Sequence, residues 1–229
     1  MTASAPRSDD IPELRAGDRL TRAEFHRRYE AMPEVKKAEL IEGVVYMPSP
    51  VSQRRHSHPQ AFLVGWLFLY ASETPCVEPG DNATVLLDLD NEPQPDALLR
   101  IAPSCGGQSR DAGDYIEAAP ELVADVAATS ASYDLHDKLQ AYRRNGVREY
   151  VVWRTEDAAI DWFVLREGRY ERLPAGENGI VRSEVFPGLW LATRAMIGLD
   201  APAVRAALAS GIATPEHAAF VESLRRSGG

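Results

Sequence analysis

The chain has 229 residues, 45% of them hydrophobic and 26% charged, which supports one domain with a sizeable core. Its formal net charge of −9 argues against non-specific nucleic-acid binding over the whole surface, while leaving room for a local basic patch. Cys76 and Cys105 lack any CxxC or CxxxH partner and are expected to be two ordinary thiols in a reducing cytoplasm.

The first 16 residues are polar, lack the apolar core of a signal peptide, and read as a loose tail. Thr21 and Glu24 form a capping box that opens a helix running to about Met32. Residues 37–47 contain β-formers around Glu42-Gly43 and predict a hairpin. Phe62, Leu63, Trp66, Leu67 and Tyr70 fall at helical spacing within a longer helix, 54–72. Its apolar part, 61–71, is too short to span a bilayer, so a cytoplasmic protein is expected.

A strand at 84–89 is followed by a Pro-containing break at 91–95 and a second strand at 96–101. A Gly- and Ser-rich loop covers 103–113. The apolar run Leu122, Val123, Val126, Ala127, Ala128 predicts a buried strand with Asp125 in its middle. Asp134 is placed to cap the next helix, which stops at Asn145-Gly146. Strands follow at 148–154, 160–166 and 169–173, the last two joined across Glu167-Gly168, with another expected at 186–191. Alanine-rich text after Ala201 suggests one or two helices, interrupted near Gly211 and Pro215. The fold class is therefore α/β or α+β, a mixed sheet flanked by helices.

A carboxylate inside a buried strand is costly unless it is paired or coordinated. Asp96, directly after Pro95, and Asp125 both sit in such strands. If the strands are neighbours, the two acids repel each other unless a cation lies between them. A hard divalent ion such as Mg²⁺ suits oxygen ligands of this kind. Ala127 shares the face of Asp125, where a lysine would lie beside the ion. Lys138 can fill that gap from the following helix, because it falls within roughly 60° of Leu135 at the margin of the apolar stripe. Alone, it would read as a snorkelling lysine; beside two buried aspartates it reads as functional. A third acid is Glu39 or Glu42, which alternation places on opposite faces of their strand.

These residues, in the order ELIEG, Pro95-Asp96, Asp125-Val-Ala and Lys138 within DLHDKLQAYRRNGVREYVVW, resemble the PD-(D/E)XK superfamily of restriction-endonuclease-like folds, and within it the Uma-type family of bacterial endonucleases. The resemblance covers about residues 20–200. With the polar tail over 1–16 and the helical extension over 201–229, this gives a nuclease-like domain over 17–200. The resemblance also implies a metal site at the sheet edge, made by Glu39 rather than Glu42, with Asp96, Asp125 and the Val126 carbonyl, and with Lys138 as catalytic lysine. Mg²⁺, with Mn²⁺ as substitute, would serve hydrolysis of nucleic acid, DNA first, leaving a 5′-phosphate. Related folds that cut duplexes often act as homodimers.

His56 matches a histidine often found at the start of the family's second helix, and is expected to contact substrate or water, a helix-end histidine being the plainer reading. The family usually has glutamate where this chain has Asp125, one methylene shorter. Arg54, Arg55, Arg143, Arg144 and Arg148 are expected to receive the phosphate backbone, although for Arg144 a solvated helix face is the better reading. Trp66, Trp153, Trp162 and Trp190 suit core packing better than base stacking. Two rival readings are a nuclease-fold binding module without efficient chemistry and a phosphodiesterase for small nucleotides.

Overall fold

The computed structural model describes residues 11–47, 52–127, 134–176 and 178–228. Residues 1–10 of the tail expected over 1–16, the loop Thr129 to Ser132 and the Asp134 cap lie outside the described residues and side chains; within 11–16, Leu14 is not part of a loose tail but is buried against Phe25 and Val45. Helix α1 (Arg22–Glu30) precedes the hairpin β1 (Glu39–Ile41) and β2 (Val44–Tyr46). A π-helical turn, Gln53–Ser57, leads into α2 (His58–Ser72). Then come β3 (Val77–Asp81), β4 (Val85–Leu86), β5 (Ala97–Ile101), β6 (Arg110–Ala112), β7 (Tyr115–Glu117) and β8 (Leu122–Ala127). A second π-helical turn, Asp134–Lys138, opens α3 (Leu139–Asn145). Strands β9 (Glu149–Arg154), β10 (Ala159–Arg166), β11 (Arg169–Arg172), β12 (Ile180–Arg182) and β13 (Trp190–Ala192) follow, then α4 (Thr193–Ile197), α5 (Ala201–Ile212) and α6 (Pro215–Ser227).

Six strands form the central sheet, in the order β11-β10-β9-β8-β5-β3. Only β8 and β9 are parallel in it; the other neighbours are antiparallel. A parallel pair needs a crossover connection, and α3 lies on it. Strand β8 is buried along its whole length, as a central strand covered on both faces should be. Its alternation divides the two cores. Leu122, Ala124 and Val126 join Leu63, Trp66 and Tyr70 of α2 and Val204, Leu208 and Leu224 of the C-terminal helices. Val123 and Ala127 face the other way, onto Tyr142 and Tyr150. A third cluster, Phe25, Ala38, Leu40 and Val45, joins α1 to the hairpin. Glu42 and Gly43 close that hairpin with positive φ of 52° and 73°, as a two-residue turn that matches strand twist requires.

Several expectations need correction. Thr21 is the N-cap of α1, but its side chain makes no cap bond; Glu24 turns instead to Arg27 and Arg28. The strand expected at 84–89 is only β4, paired with β7 in a separate small sheet. The loop at 103–113 contains β6, and the strand expected at 186–191 starts at Trp190. Strand β3, VEPGD, was not foreseen, because Pro79 and Gly80 read as breakers; as the end strand of the sheet it tolerates both.

The two cysteines are also corrected. Cys76 and Cys105 are joined in a disulfide. Strand β3 pairs Val77 with Ile101, so Cys76 lies opposite the end of β5, and a short turn brings Cys105 back to it. With that bond, the argument from free thiols to a reducing compartment loses its footing. Among the described residues, no helix is long and apolar enough to cross a membrane.

Trp66, Trp153 and Trp162 are core residues, and the Trp66 and Trp162 rings meet edge to face at 5.6 Å. Trp190 is partly buried, with the Arg182 guanidinium 4.1 Å from its ring centre.

Glu149, at the start of β9, is fully buried. It accepts hydrogen bonds from Ser183 Oγ (2.7 Å), the amides of Glu184 (2.7 Å) and Val185 (3.2 Å), and Trp162 Nε1 (3.2 Å), which ties the sheet to the segment before β13. Burial pushes its carboxyl up to about 7 in spite of these donors. A carboxyl raised on folding binds its proton more tightly in the folded chain. Its contribution is therefore complete below the unfolded value near 4.5 and is lost as pH rises through about 7. We expect unfolding free energy to fall by about 3 kcal/mol over that window, and Glu149→Gln to remove this slope in urea titrations run at several pH values.

Candidate active site

Strand β5 meets β8 only from Ala97↔Ala124 to Leu99↔Leu122, while β8 continues to Ala127. Past Ala124 the two strands part. The Val126 amide, left without a strand partner on that edge, donates to Asp96 Oδ2 at 2.8 Å. The Asp96 amide lies 3.4 Å from Asp125 Oδ1. The next carbonyl along β8, of Ala127, accepts from the Thr155 amide beyond β9. A strand residue sends its N–H and C=O to the same edge and its neighbour's to the opposite one, so the Val126 carbonyl leaves β8 on the Asp96 side.

Asp125 points to the α3 face, as the alternation of β8 requires. Lys138 Nζ donates to Asp125 Oδ1 at 3.0 Å and meets Glu39 Oε1 at 2.9 Å. Tyr150 Oη donates to Asp125 Oδ2 at 3.0 Å. Glu39 Oε1 also accepts from the Gln94 amide at 2.8 Å, which fixes β1 against the segment leading into β5. Asp96 Oδ1 accepts from Lys37 Nζ at 2.8 Å, and Oδ2 lies 3.1 Å from His56 Nε2. His56 and Lys138 both come from π-helical turns at the starts of their helices, a distortion frequent at functional sites.

The cluster is almost sealed: Glu39 is 5% exposed, Asp96 3%, Asp125 2% and Lys138 3%. Its two aspartates are pushed in opposite directions. Burial raises Asp96, but the hydrogen bond from His56 and the charges of Lys37 and Lys138 outweigh burial and hold it well below the usual aspartate range. Burial raises Asp125 too; the Lys138 ammonium opposes this only in part, while the negative charges of Asp96 and Glu39 add to it. For Lys37, burial lowers the ammonium, and the charges of Glu39 and Asp96 more than compensate, so it lies above its ordinary value.

The structure thus brings together Glu39, Asp96, Asp125 and Lys138, all four anticipated from the sequence. His56 reaches the Asp96 carboxylate. Glu42 turns away and pairs with Arg144 through two contacts of 2.7 Å. The arginines have separate neighbours. Arg55 pairs with Glu156, Arg143 donates to the Gly168 carbonyl, and Arg54 and Arg148 are exposed. Among the described residues, no group of three or more His, Cys, Asp or Glu side chains is arranged to hold a metal ion; cationic side chains meet the acids' oxygens instead.

Two members of the cluster escaped the sequence reading. Lys37 stands two residues before Glu39, and its two-residue spacing from that glutamate was the available signal. Tyr150, on β9, shares its face with Val152 and carries no sequence mark beyond being a tyrosine in a strand.

No curated protein matches the chain. The crystal structure of a "putative nuclease" from Anabaena variabilis superposes with a TM-score of 0.55, at 13% identity, over 75% of this chain and 97% of that one. At that identity the likeness is one of fold. Residues 22–194, a segment that contains Glu39, Asp96, Asp125 and Lys138, match the model of the Uma2 family, described as "Putative restriction endonuclease". The chain belongs to the Uma2 family and has its nuclease-like fold.

Proposed function

We propose that the protein hydrolyses phosphodiester bonds of nucleic acid, DNA first, with Mg²⁺ as its metal and Mn²⁺ as a substitute. The observation that carries this reading is the convergence of Glu39, Asp96 and Asp125 on Lys138 and Lys37 at the point where β5 and β8 part. The donor set fits a hard divalent ion. Asp96, Asp125, Glu39 and the Val126 carbonyl offer only oxygen, and the lysines at those oxygens mark a place where positive charge is stabilised. Those four residues would hold the ion, which when bound supplies Lewis acidity and lowers the pKa of a coordinated water.

The side chains have distinct tasks. Lys138, fixed between Glu39 and Asp125, stabilises negative charge developing on the phosphate and orients the attacking water. His56 is a positioning residue: its bond to Oδ2 sets the direction of the Asp96 carboxylate. Tyr150 does the same for Asp125. Arg55 and Arg143 act as backbone contacts that place the strand without reading it. A second reading, a binding module that kept the fold without the chemistry, draws support from the same two lysines, because they already neutralise much of the acid cluster.

Nicking of supercoiled plasmid in Mg²⁺ separates the two. The native protein should nick, and Asp96→Ala should not. Salt-dependent retention of DNA without nicking would select the binding module. Cleavage of a small phosphodiester but not of plasmid would move the substrate to nucleotides. Lys138→Met should abolish nicking and also lower stability by about 3–5 kcal/mol in urea unfolding, since it leaves two buried carboxylates without their shared cation. An unchanged unfolding midpoint would show that Lys138 does not hold these acids together in solution.

A further inference from the structure

Asp96 meets three partners. Its Oδ2 faces His56 and the Val126 amide, and its Oδ1 accepts from Lys37. The two donors on Oδ2 use both of its lone pairs, so a metal ion has either to displace one of them or to come to Oδ1, where it meets the Lys37 ammonium. The Val126 amide is fixed in β8. His56 is anchored at the head of α2. Lys37 is the one on a flexible stem, with a side chain 23% exposed, against 4% for Lys138. Its second contact is Asn82 Oδ1 at 3.1 Å, on an exposed turn after β3, whereas Lys138 is clamped by two buried carboxylates. Asn82 is itself oriented by Asp81, to which its Nδ2 donates at 2.8 Å. Lys37 therefore has a path outward that ends on a polar surface.

Charge favours the exchange. Three carboxylates face two lysines, and a divalent ion added to both lysines would overfill the site with positive charge. Moving one ammonium off Asp96 restores the balance, and Lys37 is the one whose release leaves no buried group unpaired. We infer that Lys37 is the exchangeable counter-cation of the site: it neutralises Asp96 until a divalent ion takes Oδ1, then turns outward past Asn82 to meet the phosphate backbone of the nucleic acid. This inference rests on the metal-dependent nuclease reading and adds a lysine that regulates metal entry and couples it to substrate.

The test is calorimetric titration of Mn²⁺ into the native protein, Lys37→Met and Lys37→Arg, each shown to be folded by its thermal transition. Removing the competing ammonium should tighten Mn²⁺ binding about tenfold, the equivalent of one charge-assisted hydrogen bond, while Lys37→Arg should stay near native. In Ca²⁺, Lys37→Met should retain a short DNA duplex more weakly and with a salt slope lower by about one ion. Mn²⁺ affinity unchanged or weakened in Lys37→Met, with the native protein binding the ion, would overturn the counter-cation role and leave the nuclease reading intact. Failure of both native and Lys37→Met to bind Mn²⁺ would overturn both. Duplex retention equal to native would remove the outward, phosphate-facing half of the inference.

Discussion

Three carboxylates buried within reach of one another constrain everything around them. Two unit charges 4 Å apart interact by about 4 kcal/mol at the effective dielectric of a protein surface, and burial strengthens the effect. Glu39, Asp96 and Asp125 coexist because partners arrive from three different parts of the chain: the Lys37 ammonium before β1, the His56 ring ahead of α2 and the Lys138 ammonium ahead of α3. Removing any one of these elements would leave a buried acid exposed to its neighbours' charge. The site thus depends on the fold, and the fold at this edge depends on the site's charges being matched.

The sheet supplies the rest. Asp96 replaces a missing ladder partner for the Val126 amide, so a side chain completes what β5 no longer provides. This use of a carboxylate keeps the strand ends in place while they separate, and it leaves the Val126 carbonyl on the same edge. The parallel β8 and β9 pair then brings Tyr150 to Asp125 from the side. Rigid strands hold the acids, and the helices that open with π-helical turns bring His56 and Lys138 to them.

Much of this was legible in the sequence because charge inside an apolar run is a conflict that needs a resolution. Asp125 within LVADVAA and Asp96 after Pro95 announced themselves in that way, and helical periodicity put Lys138 on the sheet side. Glu39 could not be told from Glu42 by alternation, and the family resemblance made the choice. Lys37 was lost among polar neighbours, because a lysine near a hairpin carries no conflict of its own. The edge strand β3 was lost to its proline and glycine, and the disulfide was lost with it, since only the β3 and β5 pairing shows that Cys76 and Cys105 are neighbours. Long-range register, not local pattern, decides such contacts.

The most direct test is a crystal of the native protein soaked in Mn²⁺, read from its anomalous difference map. The account predicts one strong peak beside Asp96, with Lys37 Nζ moved off Asp96 and Lys138 still between Glu39 and Asp125. A map with no peak there, and Lys37 still on Asp96 at saturating Mn²⁺, would contradict it and leave the cluster as an internal salt-bridge network in a nuclease fold.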